Sequence, residues 1–157
     1  MKIETIILAT TWGIIIALLF VFVPRNKIRE ASLIFLFKQT MTWILGLTVV
    51  ELGLLEYPVR SFRYATNTSF DFEYFFYPAI CIIFNLHYPN KKSTLMQFMY
   101  YAYYCTSMSA IELIVEKYTD IITYIHWTWY ATWVSLFITF YLSRKFYRWF
   151  FRLKEND

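Results

Sequence analysis

The stretch from Thr5 to Val23 contains no charged residue. As a helix it is long enough to cross the apolar core of a bilayer, which takes about 20 residues. A signal peptide is the competing interpretation, but Glu4 lies in the segment that should be basic, and no small-residue cleavage site follows Val23. We therefore expect a retained membrane helix over residues 3–23.

Four further apolar runs follow, and the composition of the whole chain is typical of a membrane protein. Hydrophobic residues make up 59% of the chain and charged residues 17%, whereas soluble domains contain about 25% charged residues. The sequence predicts an all-α fold, a polytopic bundle of five transmembrane helices that forms a single membrane domain over residues 1–157. The helices are expected at about 3–23, 31–55, 72–88, 93–114 and 121–143. Pro78 lies inside the third, where neighbouring helices must satisfy the carbonyl that a proline frees.

The basic residues between these runs predict the orientation, since loops rich in Lys and Arg stay in the cytoplasm. Ten of them fall on one side of the five-helix topology and four on the other. The ten are Arg25, Lys27, Arg29, Lys91, Lys92, Arg144, Lys145, Arg148, Arg152 and Lys154, and the four are Lys2, Arg60, Arg63 and Lys117. The N-terminus is therefore predicted outside and the C-terminus in the cytoplasm. Lys38, inside the second helix, is close enough to its end to reach the lipid headgroups.

The acidic residues concentrate in the outer half of the predicted bundle. Glu51 lies near the outer end of the second helix, and Glu112 and Glu116 lie one turn apart on the fourth. His126 lies about one turn into the predicted fifth helix. An ionisable group that faces lipid costs about 2.5–3.5 kcal/mol on insertion scales. We therefore expect Glu51, Glu112 and His126 to face the bundle interior and to form the walls of an outward-facing acidic pocket.

Further residues complete this predicted binding site. The mouth of the pocket is expected to contain Glu56, Arg60, Arg63 and Glu116. Ser109 continues the helix face of Glu112 at one-turn spacing. Trp129 shares a face with His126 and could contact an organic cation. The alternative interpretation is that these groups join the helix ends through ion pairs and hydrogen bonds, or simply reach water.

Metal, cofactor and nucleic-acid chemistry are not indicated. The two histidines, His87 and His126, fall on opposite sides of the predicted topology, and no HExxH motif is present. We expect no metal site and no cofactor. The net charge of +4 comes from short basic clusters between apolar runs, which is typical of membrane loops and does not indicate nucleic acid. Cys81 and Cys105 lie within apolar runs and are expected to be small buried residues.

Six segments carry a resemblance that covers most of the length. They are VPRNKIREA (23–31), FLFKQ (35–39), VVELGLLEYPVR (49–60), YPAICIIFNLHYPN (77–90), EKYT (116–119) and IHWTWY (125–130). Together they are similar to a family of small multi-spanning membrane proteins from Bacillus- and Clostridium-type bacteria. The resemblance implies a multi-pass protein of the bacterial cytoplasmic membrane, and it implies no reaction.

Three functions are compatible with these features. The first is a non-enzymatic protein of the lipid bilayer, an accessory subunit or a binder of a small ligand or cation, working as a homo-oligomer or with a partner membrane protein. The second is a proton- or ion-coupled small transporter, which predicts a continuous polar route from the outer glutamates to Lys38 or Asn85. The third is a membrane-embedded enzyme acting on a lipid-like substrate, which predicts that Glu112, Ser109 or His126 lines a cleft open to lipid.

Overall fold

Residues 3–152, which a computed structural model describes, form five α-helices and a short two-stranded ribbon. The helices are α1 (Ile3–Phe22), α2 (Ile28–Glu51), α3 (Tyr77–Leu86), α4 (Thr94–Tyr118) and α5 (Trp129–Phe150). The strands β1 (Leu55–Glu56) and β2 (Thr123–Tyr124) pair antiparallel. A 3-10 helix (Arg25–Lys27) precedes α2, and a π-helix (Phe70–Phe76) runs directly into α3. The expectation of a mostly helical chain with five helices is confirmed.

By length and composition, two helical segments could cross a membrane: Ile3–Phe22, and Arg25–Glu51, which comprises the 3-10 helix and α2. Only 11% of the most apolar part of the first segment is buried inside the protein, and only 28% of that part of the second. The exposed side chains of α1 include Ile14, Phe20 and Val21. So much contiguous apolar surface needs lipid or another apolar partner to cover it.

Several predicted helix boundaries were wrong: α4 and α5 continue to Tyr118 and Phe150, past the predicted 114 and 143. Two further errors lie at the same end of the bundle. The second helix ends at Glu51 rather than at 55, because Gly53 adopts a left-handed conformation (φ +65°) that stops it. The fifth helix begins at Trp129 rather than at 121. The preceding residues form β2 and its flanks, and the carbonyl of Leu54 accepts from the amide of His126 at 2.9 Å. A short apolar run has the same composition in a ribbon as in a buried helix.

Pro78 determines how α2 packs against the π-helix and α3. It has no N–H, so neither Glu73 in the π-helical pattern nor Tyr74 in the α-helical pattern receives its usual hydrogen bond. Two side chains of α2 replace the missing donor. Gln39 Nε2 donates to the Tyr74 carbonyl at 3.0 Å, and Thr42 Oγ1 donates to the Glu73 carbonyl at 2.5 Å. The prediction that neighbours satisfy the carbonyl freed by this proline is confirmed.

Helix α1 also contacts the π-helix. The indole N–H of Trp12 donates to Asp71 Oδ1 at 2.9 Å, and its ring stacks on Phe75 with centroids 3.9 Å apart. Asp71 also accepts from the backbone N–H of Ser61 at 3.2 Å and from its hydroxyl at 3.0 Å. One buried carboxylate therefore joins α1, the π-helix and the loop that follows β1.

Between α3, α4 and α5 the core is aromatic. Phe84 is fully buried, and its ring centroid lies 4.7–5.3 Å from the centroids of four other rings. These rings belong to Tyr100, Tyr101, Tyr104 and Phe140. Tilted and edge-on contacts of this kind add to the stabilisation from area burial alone. Both cysteines are free and buried next to this core, as expected.

We expect Thr42→Val to destabilise the fold, because it keeps the shape of the side chain and removes the donor to the Glu73 carbonyl. A buried carbonyl left without a donor costs about 1–3 kcal/mol, which thermal unfolding in mild detergent would record as a lower Tm. Thr40→Val is the matched control, since Thr40 is exposed and, within residues 3–152, its hydroxyl bonds only to the Leu36 carbonyl of its own helix at 2.9 Å. Equal Tm values for the two variants would contradict this role of Thr42.

Candidate functional site

Glu112 of α4 is buried, and three hydroxyl groups donate to its carboxylate. Tyr77 donates to Oε2 and Tyr124 to Oε1, each at 2.5 Å, and Thr132 donates to Oε1 at 2.7 Å. Trp127 in turn donates its indole N–H to the Thr132 hydroxyl at 2.7 Å. These donors come from α3, from the β2 region and from α5. The carboxylate therefore joins three parts of the chain.

Glu73 of the π-helix is also buried. Tyr57, just after β1, donates its hydroxyl to Oε1 at 3.1 Å. On the other side, Glu73 packs against Gly46 of α2 so closely that a Cβ at Gly46 would lie 2.7 Å from Glu73 Cγ. The same Cβ would lie 2.7 Å from the hydroxyl oxygen of Thr68. The absence of a side chain at Gly46 therefore makes the position of Glu73 possible.

Two of these donors, Tyr57 and Tyr124, lie outside the long helices. Burial raises the pKa of Tyr57 well above its ordinary value, and the nearby Glu73 raises it further. Burial, followed by the neighbouring Glu112, likewise raises the pKa of Tyr124. Both phenols therefore stay neutral and keep the protons that they donate to the two carboxylates.

Lys38 of α2 is fully buried. Its ammonium donates to Thr139 Oγ1 of α5 at 2.5 Å and lies 4.3 Å from the ring centroid of Phe140. Within residues 3–152 the ion pair present is Lys27–Glu30, at 3.8 Å, so no carboxylate of this part of the chain pairs directly with Lys38. A buried ammonium without an ion-pair partner is costly unless nearby charges or water compensate it.

A cavity of about 70 Å³ is lined by Glu73, Glu112 and Thr139, whose hydroxyl accepts a hydrogen bond from Lys38. Its polar lining comprises Thr42, Tyr57, Glu73, Tyr77, Glu112, Trp127, Thr132, Ser135 and Thr139. One water needs about 10–15 Å³ of such volume and two or more polar partners. The cavity therefore has room for several waters. It is far below the roughly 300 Å³ at which pockets for organic ligands begin.

Polar groups continue from Lys38 toward the other end of the bundle. Ser143 accepts from Cys81 Sγ at 3.2 Å and from Asn85 Nδ2 at 3.3 Å. Arg144 is 5% exposed, donates to the Asn85 carbonyl at 3.1 Å and also bonds to the side chain of Asn90. Two buried atoms in this group, Asn85 Oδ1 and Arg144 Nε, have no hydrogen-bond partner within the described part of the chain. Such orphaned atoms are where ordered water is expected.

Helix α5 connects both halves of this interior through a stripe of polar side chains. The stripe consists of Thr132, Ser135, Thr139, Ser143 and Tyr147, at helical spacing. At 1.5 Å per residue it extends over about 22 Å. At its far end the Tyr147 hydroxyl donates to Glu30 at the start of α2. The structure thus places a row of hydroxyl groups alongside the buried side chains of Lys38, Glu73 and Glu112, and we call this assembly the polar row.

The structure brings only two of the sequence-predicted site residues into this interior. Glu112 and Ser109 are buried on one face of α4, although the Ser109 hydroxyl has no hydrogen-bond partner among residues 3–152. Glu51, Glu56, His126 and Trp129 are instead exposed, and Glu116 and Arg60 are half-buried. The expectation that Glu51 and His126 face the interior was wrong, because α2 ends at Glu51 and His126 precedes α5.

Arg60 has a local role in the loop after β1. Its guanidinium donates to the carbonyl of Tyr57 at 2.5 Å and of Thr66 at 2.8 Å, and to Asn67 Oδ1 at 3.2 Å. These bonds hold the loop that carries Tyr57. Arg60 therefore acts on the site only through the position of that tyrosine.

Sequence reasoning missed Glu73 and misplaced Lys38, which turns inward rather than toward the headgroups. The available signal was that both lie inside predicted spans, where ionisable residues are rare. It also missed the polar stripe of α5, which is visible as hydroxyl residues every three or four positions.

Comparison with known proteins gives no relative: no family model, no curated protein and no solved structure matches the chain. Among residues 3–152, no group of three or more His, Cys, Asp or Glu side chains is placed to hold a metal ion.

Gly46→Ala should displace Glu73 and lower the Tm in detergent, because overpacking a tight contact costs about 1–3 kcal/mol. Gly13→Ala is the matched control, since a Cβ at Gly13 of α1 would meet nothing within 4 Å and Ala favours a helix over Gly by about 1 kcal/mol. The expected order of Tm is Gly13→Ala at or above wild type, with Gly46→Ala below. A Gly46→Ala protein as stable as the control would mean that Glu73 does not depend on this contact.

Proposed function

We propose that the protein is a five-span protein of the bacterial cytoplasmic membrane that moves protons along the polar row. One observation carries the proposal. Glu73 and Glu112 line one cavity together with the Thr139 hydroxyl, which accepts a hydrogen bond from the buried Lys38. Neither glutamate nor Lys38 has an ion-pair partner within residues 3–152. Titratable groups at this depth are typical of proton relays in pumps and transporters.

The cost of these groups supports a functional rather than a structural role. Apolar residues of similar volume in place of buried charges are often neutral or stabilising by 1–4 kcal/mol. The protein nevertheless keeps Lys38, Glu73 and Glu112 in its interior. Hydroxyl groups and cavity water can pass a proton between such sites, because each can donate and accept a hydrogen bond at once.

The route has an outer and an inner half. In the outer half, Glu112 and Glu73 can take up protons beside the cavity. In the inner half, Lys38 and then Ser143 and Asn85 continue the row toward Arg144. The orphaned buried atoms of Asn85 and Arg144 mark positions for water in this half.

The other two functions receive less support. A pocket for an organic ligand would need several times the volume of the cavity. A lipid-modifying enzyme would need Glu112, Ser109 or His126 on a surface open to lipid. The large open groove of the protein lies elsewhere, between α1 and α2, and has none of these residues in its lining.

The five-span topology can be tested with single cysteines. Tyr64→Cys, at an exposed site on the predicted outer side, should react with a membrane-impermeant maleimide in intact cells. Lys91→Cys, exposed between α3 and α4, should react only after permeabilisation. Wild-type protein is the control for background, because Cys81 and Cys105 are buried. Labelling of Lys91→Cys in intact cells would rule out this topology.

Proton flux is the second test, measured in liposomes that contain a pH-sensitive dye, with a potassium gradient and valinomycin as driving force. Wild-type protein should acidify the lumen faster than protein-free vesicles do. Glu112→Gln should return the rate to that of protein-free vesicles, because an amide cannot take up the proton. Asp120→Asn, an exposed acid near the same end of the bundle, should leave the rate unchanged. Equal rates for wild-type and protein-free vesicles would refute the proposal.

Lys38→Met separates function from folding in the same assay. Removing a buried charge should leave the Tm at or above that of wild type, while proton flux is lost. A protein with reduced Tm and normal flux would instead show that Lys38 stabilises the fold and takes no part in transport.

A further inference from the structure

A groove of about 800 Å³ runs along the outside of the protein, away from the polar row. Its walls are the second half of α1 and the first half of α2, and its floor is formed by the π-helix and α3. The lining includes Ile16, Val23, Ser32, Phe35 and Phe75, with Arg25 at one end. From Ile16 to Val23 it follows about 10 Å of helix.

The groove is apolar along its length and cationic at one end. Arg25 lies in the connection between α1 and α2, where the groove ends. Its neighbour Lys27 is already compensated by Glu30 at 3.8 Å, whereas no acidic side chain in residues 3–152 pairs with Arg25. Among the described residues, the guanidinium therefore has no ion-pair partner, and it presents five N–H donors beside an apolar channel.

We propose that this groove binds one anionic phospholipid, with an acyl chain between α1 and α2 and the phosphate on Arg25. The inference rests on the membrane placement given under Proposed function, and it is independent of proton movement. In that placement the connection lies on the cytoplasmic side, where anionic lipids present their phosphates. A depth of about 10 Å is within the roughly 15 Å of apolar core that one leaflet provides.

Charge complementarity is the reason for naming a lipid rather than a protein helix as the occupant. An apolar helix would cover the walls and would leave Arg25 without an anion. A phospholipid satisfies both ends, because Arg binds phosphate through paired N–H donors and the chain covers the apolar walls. The Ser32 hydroxyl, on the exposed side of α2, adds a further donor in the lining.

Native mass spectrometry of the full chain in mild detergent can test this, titrated with phosphatidylglycerol or with phosphatidylcholine of identical acyl chains. Phosphatidylglycerol should bind as a single adduct and more tightly than phosphatidylcholine. Arg25→Gln should weaken that adduct about fivefold, the effect of about 1 kcal/mol for one basic residue. Arg29→Gln is the matched control, an exposed arginine of the same segment that does not line the groove.

A second variant fills the groove without changing its charge. Ser32→Trp should reduce binding of both lipids, and because Ser32 is exposed the variant should fold normally. Equal binding of the two lipids by wild type, or an Arg25→Gln protein that binds like Arg29→Gln, would overturn the proposal. A wild-type dimer that forms with loss of lipid, and that Ser32→Trp prevents, would also overturn it, because a second copy of the chain would then occupy the groove. If wild-type protein showed no proton flux in liposomes, the proton-transfer proposal would fail, and the lipid-binding result would still stand.

Discussion

The contact between α2 and the π-helix determines where the interior polar groups lie. Pro78 leaves two backbone carbonyls without their usual N–H donor, and the side chains of Gln39 and Thr42 each donate a hydrogen bond to one of them. This pairing fixes the register of α2 against the π-helix, so that Gly46 lies beside Glu73. Lys38, one turn before Thr42, then faces α5. A helix defect, satisfied by its neighbour, thus positions the buried side chains of Lys38 and Glu73.

The arrangement of these groups separates opposite charges instead of pairing them. A direct ion pair between Lys38 and Glu73 would neutralise both and would hold them in place. The protein instead satisfies Glu112 with three hydroxyl donors and Lys38 with one hydroxyl acceptor and an aromatic ring. Groups held in this way can change protonation state without breaking an ion pair. Cavity water beside them can compensate the change.

Much of the fold follows from the sequence, because apolar runs of membrane length permit few structures other than helices. The ends of helices at the outer side were harder to place. Residues 121–128 are as apolar as a helix and instead continue into a ribbon whose pairing depends on Leu54, more than 60 positions earlier. Once that ribbon forms, His126 leaves the helix on which it was expected. Its predicted orientation changes with it.

The site was predicted only where its geometry is local. Glu112 and Ser109 share a helix face, which one-turn spacing determines without reference to other helices. Glu73 reaches the cavity through a π-helical turn and the missing side chain of Gly46, and neither is encoded by periodicity. Lys38 could in principle extend to either end of α2. Its direction depends on Thr139, 101 positions away in the chain.

Helix α2 presents different chemistry at two heights along one face, and this divides the protein into two regions. Ala31 and Phe35, near the start of the helix, line the groove, whereas Lys38 and Thr42, farther along the same face, contact the polar row. Within the described residues α1 contributes no side chain to the cavity, and its hydrogen bond to the π-helix is made by Trp12. A lipid between α1 and α2 would therefore supply apolar contacts that the two helices scarcely make with each other. The polar row would keep its own hydrogen bonds, because all of its members belong to α2–α5 and the segments that connect them.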